Sequence, residues 1–382
     1  MSEGSLVRQQ HARYRAARAG IGIGGWLAVL VILALVDAAV RNVFVPVWLT
    51  RIGDVEGEVL HDVTLGRNLA VVFTLAERKV AVAPRSITVV GDSTIMGDLF
   101  GARDARLAPV LERRLAASEG ALGTVAVVEL GFLGLTTPDA AIVVAKSLAM
   151  DVDLVTYAMT PRIMCALPAE ATDAHRYVLD PDVAARLGPR LLGDYPLATL
   201  AGSAVRSHWA LLTFQNEIRD QLAHAASRRL PEPWRGYVAP VPYAASLGGE
   251  AAPLTGPMWT NARCRLDDDS RAVVALRHIL DMCAAERRCF PYHGPINPDA
   301  LGSFDADLLP RFRALVARLT AERGIPYRDY ADDLPATVFR RQTVGRPDAI
   351  HLEASGRAWL AERLATDVGP LLAHQRSRPG RP

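Results

Sequence analysis

The chain has 382 residues, half of them hydrophobic and 22% charged, and a formal net charge of +2. That length is ample for a buried core, and the balance excludes an overall disordered, collagen-like or polytopic membrane protein. Its basic charge is almost wholly arginine, Lys79 and Lys146 being the only lysines. Beyond the N-terminal tail these arginines are spread among acids, not gathered into the dense basic face a nucleic-acid binder needs, so nucleic acid is set aside as a partner.

Residues 21–36, IGIGGWLAVLVILALV, form an uncharged apolar run. The stretch 19–40, interrupted only by Asp37, is long enough to cross about 30 Å of hydrocarbon as a helix. Arg8, Arg13, Arg15 and Arg18 precede it, whereas Arg41 and Arg51 after it are diluted by Asp54, Glu56 and Glu58. The positive-inside rule then makes 1–18 a cytoplasmic tail and 19–40 a single transmembrane anchor in the cytoplasmic membrane, with the rest in the periplasm or cell exterior. A cleaved signal peptide with its site near Val36-Asp37-Ala38 is the competing reading, and the length of the apolar core favours the uncleaved anchor. Both readings export the domain. Gly20-Ile-Gly22-Ile-Gly24-Gly25 matches a dinucleotide fingerprint in spacing only, since no strand precedes it and the helix it opens is lipid-soluble.

Residues 41–84 read as a stalk or as a packing helix. From residue 86 strand and helix signals alternate, the pattern of a parallel sheet with helices on both faces. β-branched runs at 87–90, 125–130, 154–158, 288–292 and 325–327 predict five strands. Amphipathic spacing predicts helices over about 108–118, 139–148, 270–286 and 308–323. Between about 165 and 267 the periodicity is lost, which reads as an irregular insertion over the sheet edge. Residues 85–372 thus form one domain, and 373–382 a disordered tail.

The first strand runs directly into Gly91-Asp92-Ser93-Thr94-Ile95-Met96-Gly97. A serine there sits at the carboxyl end of a parallel strand, with its backbone N–H at a helix start where developing negative charge is favoured. Serine needs a base to take its proton, and the base needs a carboxylate to orient it. Asp348-Ala349-Ile350-His351 offers both: in a single turn, an acid and a histidine three residues apart lie close.

In order and context, Gly91-Asp92-Ser93 with Gly97, then Asp348 and His351 followed by Leu352 and Gly356, resembles the SGNH or GDSL hydrolase family over about 86–372. The resemblance implies a three-layer α/β/α, flavodoxin-like domain. It makes Ser93 the nucleophile and first oxyanion donor, His351 the base and Asp348 its orienter. The family's second block, a glycine after a strand, looks like Gly134, whose N–H would be the second oxyanion donor. Its third block supplies an asparagine, which this chain lacks. In its place stands Tyr157-Ala158-Met159-Thr160-Pro161-Arg162, with Thr160 or Arg162 as the replacement. Export, one anchor and the altered third block are similar to the extracytoplasmic acyl-transfer branch, the D-alanyl transfer and alginate acetylation proteins. So, loosely, is the segment from Phe290 to Pro298.

Cys264, His278, Cys283, Cys289 and His293 crowd one region but lack a Cys-x-x-Cys pair, so a disulfide among the three cysteines is expected before a metal. His293 reads as a substrate contact or as a structural histidine. Arg162 could pair with an acid such as Asp153. Trp209, Trp234, Tyr237, Tyr243 and Trp259 read as pins for an irregular loop, and Asp267-Asp268-Asp269 before Ser270 as the approach to a helix. No cofactor or metal is implied. The expected function is a serine esterase acting on an acylated glycan or lipid. An O-acyltransferase on an envelope polysaccharide, working with a multi-span membrane acyltransferase, is one alternative, and a non-catalytic scaffold or glycan-binding protein with the same fold is the other.

Overall fold

Five short runs rich in β-branched residues build the sheet: β1 Arg85–Gly91, β2 Val125–Gly131, β3 Leu154–Met159, β4 Cys289–His293 and β5 Arg328–Asp329. The computed structural model of the chain describes residues 23–48, 69–96, 106–117, 124–132, 135–165, 181–193, 195, 197–215, 218–219, 222, 257–341 and 347–375. All neighbouring strands are parallel, in the order β2-β1-β3-β4-β5. This is the flavodoxin-like arrangement, in which ligands bind beyond the carboxyl ends where the chain switches direction. The switch lies between β1 and β3. The strands are continuous apolar runs because helices cover both faces.

Helices α2 (Leu69–Val82), α5 (Thr137–Ala149), α9 (Arg271–Glu286) and α10 (Leu308–Ala321) pack on one face. On the other lie α4 (Leu107–Ala117) and α11 (Ala354–His374). Each fully buried leucine in these layers, such as Leu111 or Leu364, stabilises the fold by about 1.5–3 kcal/mol. A two-stranded antiparallel ribbon, β6 (Phe339–Arg341) with β7 (Pro347–Leu352), leads into α11. Helix α3 (Ser93–Met96) is the short turn after β1.

Several expectations are corrected. The fifth strand falls just after the apolar run at 325–327, because only Arg328 and Asp329 find partners on the edge of β4. Residues 69–82 are a packing helix, with Val72, Phe73, Ala76 and Val80 buried in the core. The insertion is helical in its described part: α6 (Pro181–Leu192), α7 (Leu197–His208) and α8 (Ala210–Thr213). Proline, glycine and alanine mask its periodicity in the sequence. Helix α11 runs to His374, and the end of the expected tail lies outside the described residues.

At the N-terminus, α1 (Ile23–Ala39) continues through a π-helical turn, Val40–Phe44. The apolar helix Gly24–Trp48 is 25 residues long, and its length and composition are sufficient to cross a bilayer. Trp26, Leu27, Leu30, Val31, Ile32 and Leu35 are exposed along it.

Candidate active site

Strand β1 ends in register with β2 at Gly91 and Gly131, and Phe132 donates its N–H to the Gly91 carbonyl at 3.1 Å. A Cβ on Gly91 would stand 3.0 Å from the Ala158 Cβ and 3.1 Å from Ile95. The turn that follows β1 therefore needs glycine for its close approach to β3. Asp92 is buried and steadies the turn: Oδ1 accepts the Thr94 amide at 3.0 Å, and Oδ2 pairs with Arg162 Nη1 at 3.2 Å. Ser93 then opens α3 with its Oγ at the switch point.

His351 and Asp348 come from β7. Asp348 is expected to adopt a single turn with His351, yet 347–352 is extended, paired with β6. The carboxylate curls back along the strand, Oδ1 accepting the amides of Ile350 at 3.0 Å and His351 at 2.9 Å. The imidazole completes the arrangement, with Nδ1 2.8 Å from Asp348 Oδ2 and Nε2 2.9 Å from Ser93 Oγ. Burial works against the Asp348 carboxylate, but the hydrogen bond and charge of His351 and the two amides outweigh it and hold its pKa below the ordinary value. A carboxylate only accepts, so Nδ1 carries the proton. Nε2 is then left as the acceptor of the Ser93 hydroxyl. The structure thus brings together three side chains that the sequence scatters over both ends of the domain.

Two supports hold this arrangement, and the first has no sequence signal of its own. Buried Asn297 donates from Nδ2 to the Asp348 carbonyl at 2.7 Å, and its amide donates to the Ala349 carbonyl at 2.9 Å. It thereby clamps β7 to the loop after β4, within the segment from Phe290 to Pro298. Gly356 is the second: a Cβ there would approach the Val338 carbonyl to 2.9 Å, so glycine lets α11 settle beside β7.

The remaining predicted residues separate clearly. Thr160 follows β3 at the same sheet edge and is 1% exposed; among the described residues its Oγ1 has no hydrogen-bond partner. Arg162 pairs with Asp92 and not with Asp153, which instead accepts the Ser86 amide at 2.7 Å. Within this pair, Arg162 is bound to the turn that carries Ser93. His293 is fully buried, with Nδ1 3.1 Å from Asp329 and its ring edge-on to Phe312 at 5.2 Å. Gly134 lies outside the described residues.

The cysteines form two disulfides, Cys165–Cys264 and Cys283–Cys289. A single bridge among Cys264, Cys283 and Cys289 is therefore corrected: Cys165, at the end of the third block, takes Cys264. Among the described residues no group of three or more His, Cys, Asp or Glu is placed to hold a metal ion. Trp259 is buried and stacks on Phe304 at 4.7 Å, while Trp234, Tyr237 and Tyr243 lie outside the described residues. Ser270 caps α9 by accepting the Val273 amide at 3.3 Å, as the acidic run before it suggests.

No protein-family model matches the chain, and no curated protein matches it. Among solved structures, the lipase/acylhydrolase from Enterococcus faecalis is similar at 14% identity, covering 75% of this chain and 96% of its own, with a TM-score of 0.40. TesA is similar at 14% identity over 75% of this chain and 99% of its own, with a TM-score of 0.36.

Proposed function

We propose that the chain is a membrane-anchored serine esterase of SGNH type, acting outside the cytoplasm on an ester-linked acyl group. The observation that carries this reading is the hydrogen-bonded line Ser93 Oγ, His351 Nε2, His351 Nδ1, Asp348 Oδ2 at the switch point of the sheet. Ser93 Oγ attacks the ester carbonyl as its proton passes to Nε2 of His351. The C–O bond to the leaving alcohol then breaks, and that alkoxide takes the proton from Nε2. Water, deprotonated by the same nitrogen, attacks the acyl-serine; the acyl–Oγ bond breaks, Ser93 Oγ takes the proton back from Nε2, and the free acid leaves.

The tetrahedral oxyanion is held by the N–H groups of Ser93 and Gly134 and by the Thr160 hydroxyl. Support for Thr160 comes from its buried Oγ1, which has no protein partner among the described residues and so keeps a donor available. Arg162 serves the site through Asp92, keeping the nucleophile's turn in shape, and His293 is assigned a structural place beside Asp329. The apolar helix and two disulfides support an exported, tethered domain, since disulfides persist in oxidising compartments.

Tethering keeps the site beside envelope glycans and lipids, which favours a second reading: the acyl-serine passes its acyl group to a sugar hydroxyl instead of water. Full-length protein in detergent, given p-nitrophenyl acetate with Ser93→Ala as control, tests the enzyme reading. Turnover no greater than the control's would leave only a scaffold or binding role. Adding an acceptor oligosaccharide and weighing the products separates the two fates: acylated sugar means transfer, free acid alone means hydrolysis.

A further inference from the structure

We propose that helix α7 lies in the headgroup layer of the same bilayer that α1 spans, held there by a joint built from the end of the span. This rests on the anchor reading above. The joint explains the one acid that interrupts the apolar run. Asp37 Oδ1 accepts the Leu211 amide in α8 at 2.7 Å, and Arg41 Nη2 donates to the carbonyl of His208, the last residue of α7, at 2.6 Å. Asp37 and Arg41 also pair with each other across one helical turn at 3.3 Å. A cation at the last carbonyl of α7 is where the helix dipole favours it. Charges this close to hydrocarbon are costly, and both are engaged by groups of the folded domain.

Apolar packing reinforces the polar bonds. Val40 and Val45 of the N-terminal helix are buried with Leu75 of α2 and with Ala210 and Phe214. Trp48 stacks on Phe44 at 6.0 Å and meets Phe214 edge-on at 6.4 Å. The end of the span therefore packs against α2, α8 and Phe214 in a small apolar cluster of its own. Cleavage near residue 38 would strip Asp37 from α8, so the joint also argues for an uncleaved anchor.

Helix α7 reads LATLAGSAVRSH, with no charged residue before Arg206. Leu197 is 84% and Val205 50% exposed, and Ala201 and Ala204, which recur at helical spacing between them, are exposed too. An apolar helix face bare to water is unfavourable, and lipid removes the cost. Its C-terminal end is bonded to Arg41, at the limit of the span, and is followed directly by Trp209, a residue type suited to the membrane interface. That continuity with the bilayer selects lipid as the occupant of the face.

The test uses the full chain in phosphatidylcholine and phosphatidylglycerol nanodiscs, with single cysteines carrying a fluorophore; the four native cysteines are paired. With nitroxide placed near the headgroups, labels at Leu197→Cys and Val205→Cys should lose at least about half their emission, as for a helix seated at the acyl boundary. A label at Leu301→Cys, an exposed position on another part of the domain, should keep its emission. A label at Leu30→Cys, quenched by nitroxide deep in the acyl chains, reports the span itself. If Leu30 is not quenched, the anchor reading fails; if Leu30 is quenched while either α7 label matches the Leu301 control, this proposal alone is overturned. Unquenched α7 labels, with the unlabelled Leu197→Cys or Val205→Cys chains forming a disulfide between two copies, would likewise overturn it and assign the face to a second copy. Asp37→Ala with Arg41→Ala should restore emission at both α7 sites, and undiminished quenching would remove the joint from the proposal.

Discussion

Ser93 and His351 stand 258 positions apart, yet Oγ of one lies 2.9 Å from Nε2 of the other. The contact forms because β1 delivers the serine to the sheet's switch point, while β7, clamped by Asn297, delivers the imidazole from the far end of the domain. Under the proposed mechanism, holding the two groups in this geometry before substrate arrives lowers the barrier, because no orientational entropy is lost at the moment of reaction.

Asp348 sets which imidazole nitrogen is protonated, so Asp348→Asn should leave KM close to wild type and lower kcat by about 10⁴-fold through the wrong tautomer. Steady-state kinetics on an aryl acetate measure this. Equal loss from Asp348→Asn and from a remote surface variant would remove Asp348 from the relay.

Thr160 separates a donor role from a packing role. Thr160→Val keeps the shape and deletes the hydroxyl. As an oxyanion donor its loss should lower kcat by about 10²–10³-fold with KM little changed. Because the buried Oγ1 has no protein partner among the described residues, the melting temperature should hold or rise. Unchanged kcat with a raised melting temperature would make Thr160 purely structural.

Arg162 and Asp92 face each other with Asp92 almost wholly enclosed. Arg162→Ala leaves that acid unpaired in the interior, at an expected cost of about 3–5 kcal/mol. Arg162→Ala combined with Asp92→Asn should recover much of the loss, which chemical denaturation of the single and double variants will show. Additive losses would mean that the pair does not act as a unit.

Glu129 lies under α4, where Ala108 donates its amide to Oε2 at 3.2 Å. Burial, opposed by that amide and by the charges of Arg106, Arg357 and Lys79, pushes its carboxyl up to about 7. An unfolded glutamate titrates near about 4.3, so the folded state holds a proton the unfolded chain has released. The contribution to stability is full below about pH 4 and is lost as pH rises through about 7. Glu129→Gln keeps the acceptor for Ala108. Relative to wild type it should be nearly neutral at pH 4 and more stable at pH 8, by about 3–4 kcal/mol. Thermal melts at the two pH values check the sign.

The two disulfides close loops of very different length, with sequence separations of 99 and 6. On chain-entropy grounds, Cys165→Ser with Cys264→Ser should cost about 4–5 kcal/mol, against about 2 kcal/mol for Cys283→Ser with Cys289→Ser. Denaturant midpoints of the paired variants give the comparison.

Much of the sheet is legible in the chain alone. Runs such as Val125 to Leu130 are short, β-branched and bounded by glycine, so β1 to β4 fall where the pattern places them. The fifth strand does not, since two residues on a sheet edge leave no periodic signal. Ser93, Asp348 and His351 are readable because each stands in a local motif. Asn297 is not, because a single asparagine marks nothing until β7 lies against it. Helices α6 and α7 escape notice for a different reason: Gly188 and Pro189 in one, and a run of small residues in the other, blur the spacing that reveals amphipathic helices.

The sequence by itself determined which groups could do chemistry and which run could enter a membrane, because strand and helix propensity, turn chemistry and apolar length act over a few neighbouring residues. Only the tertiary structure decided that Arg162 belongs to Asp92, that Cys165 takes Cys264, and that Asp37 is bonded to the domain rather than stranded in an apolar helix. Those pairings depend on which surfaces meet once the layers pack, and no short-range rule carries that information across the 70 to 174 positions separating the ion pair and the joint.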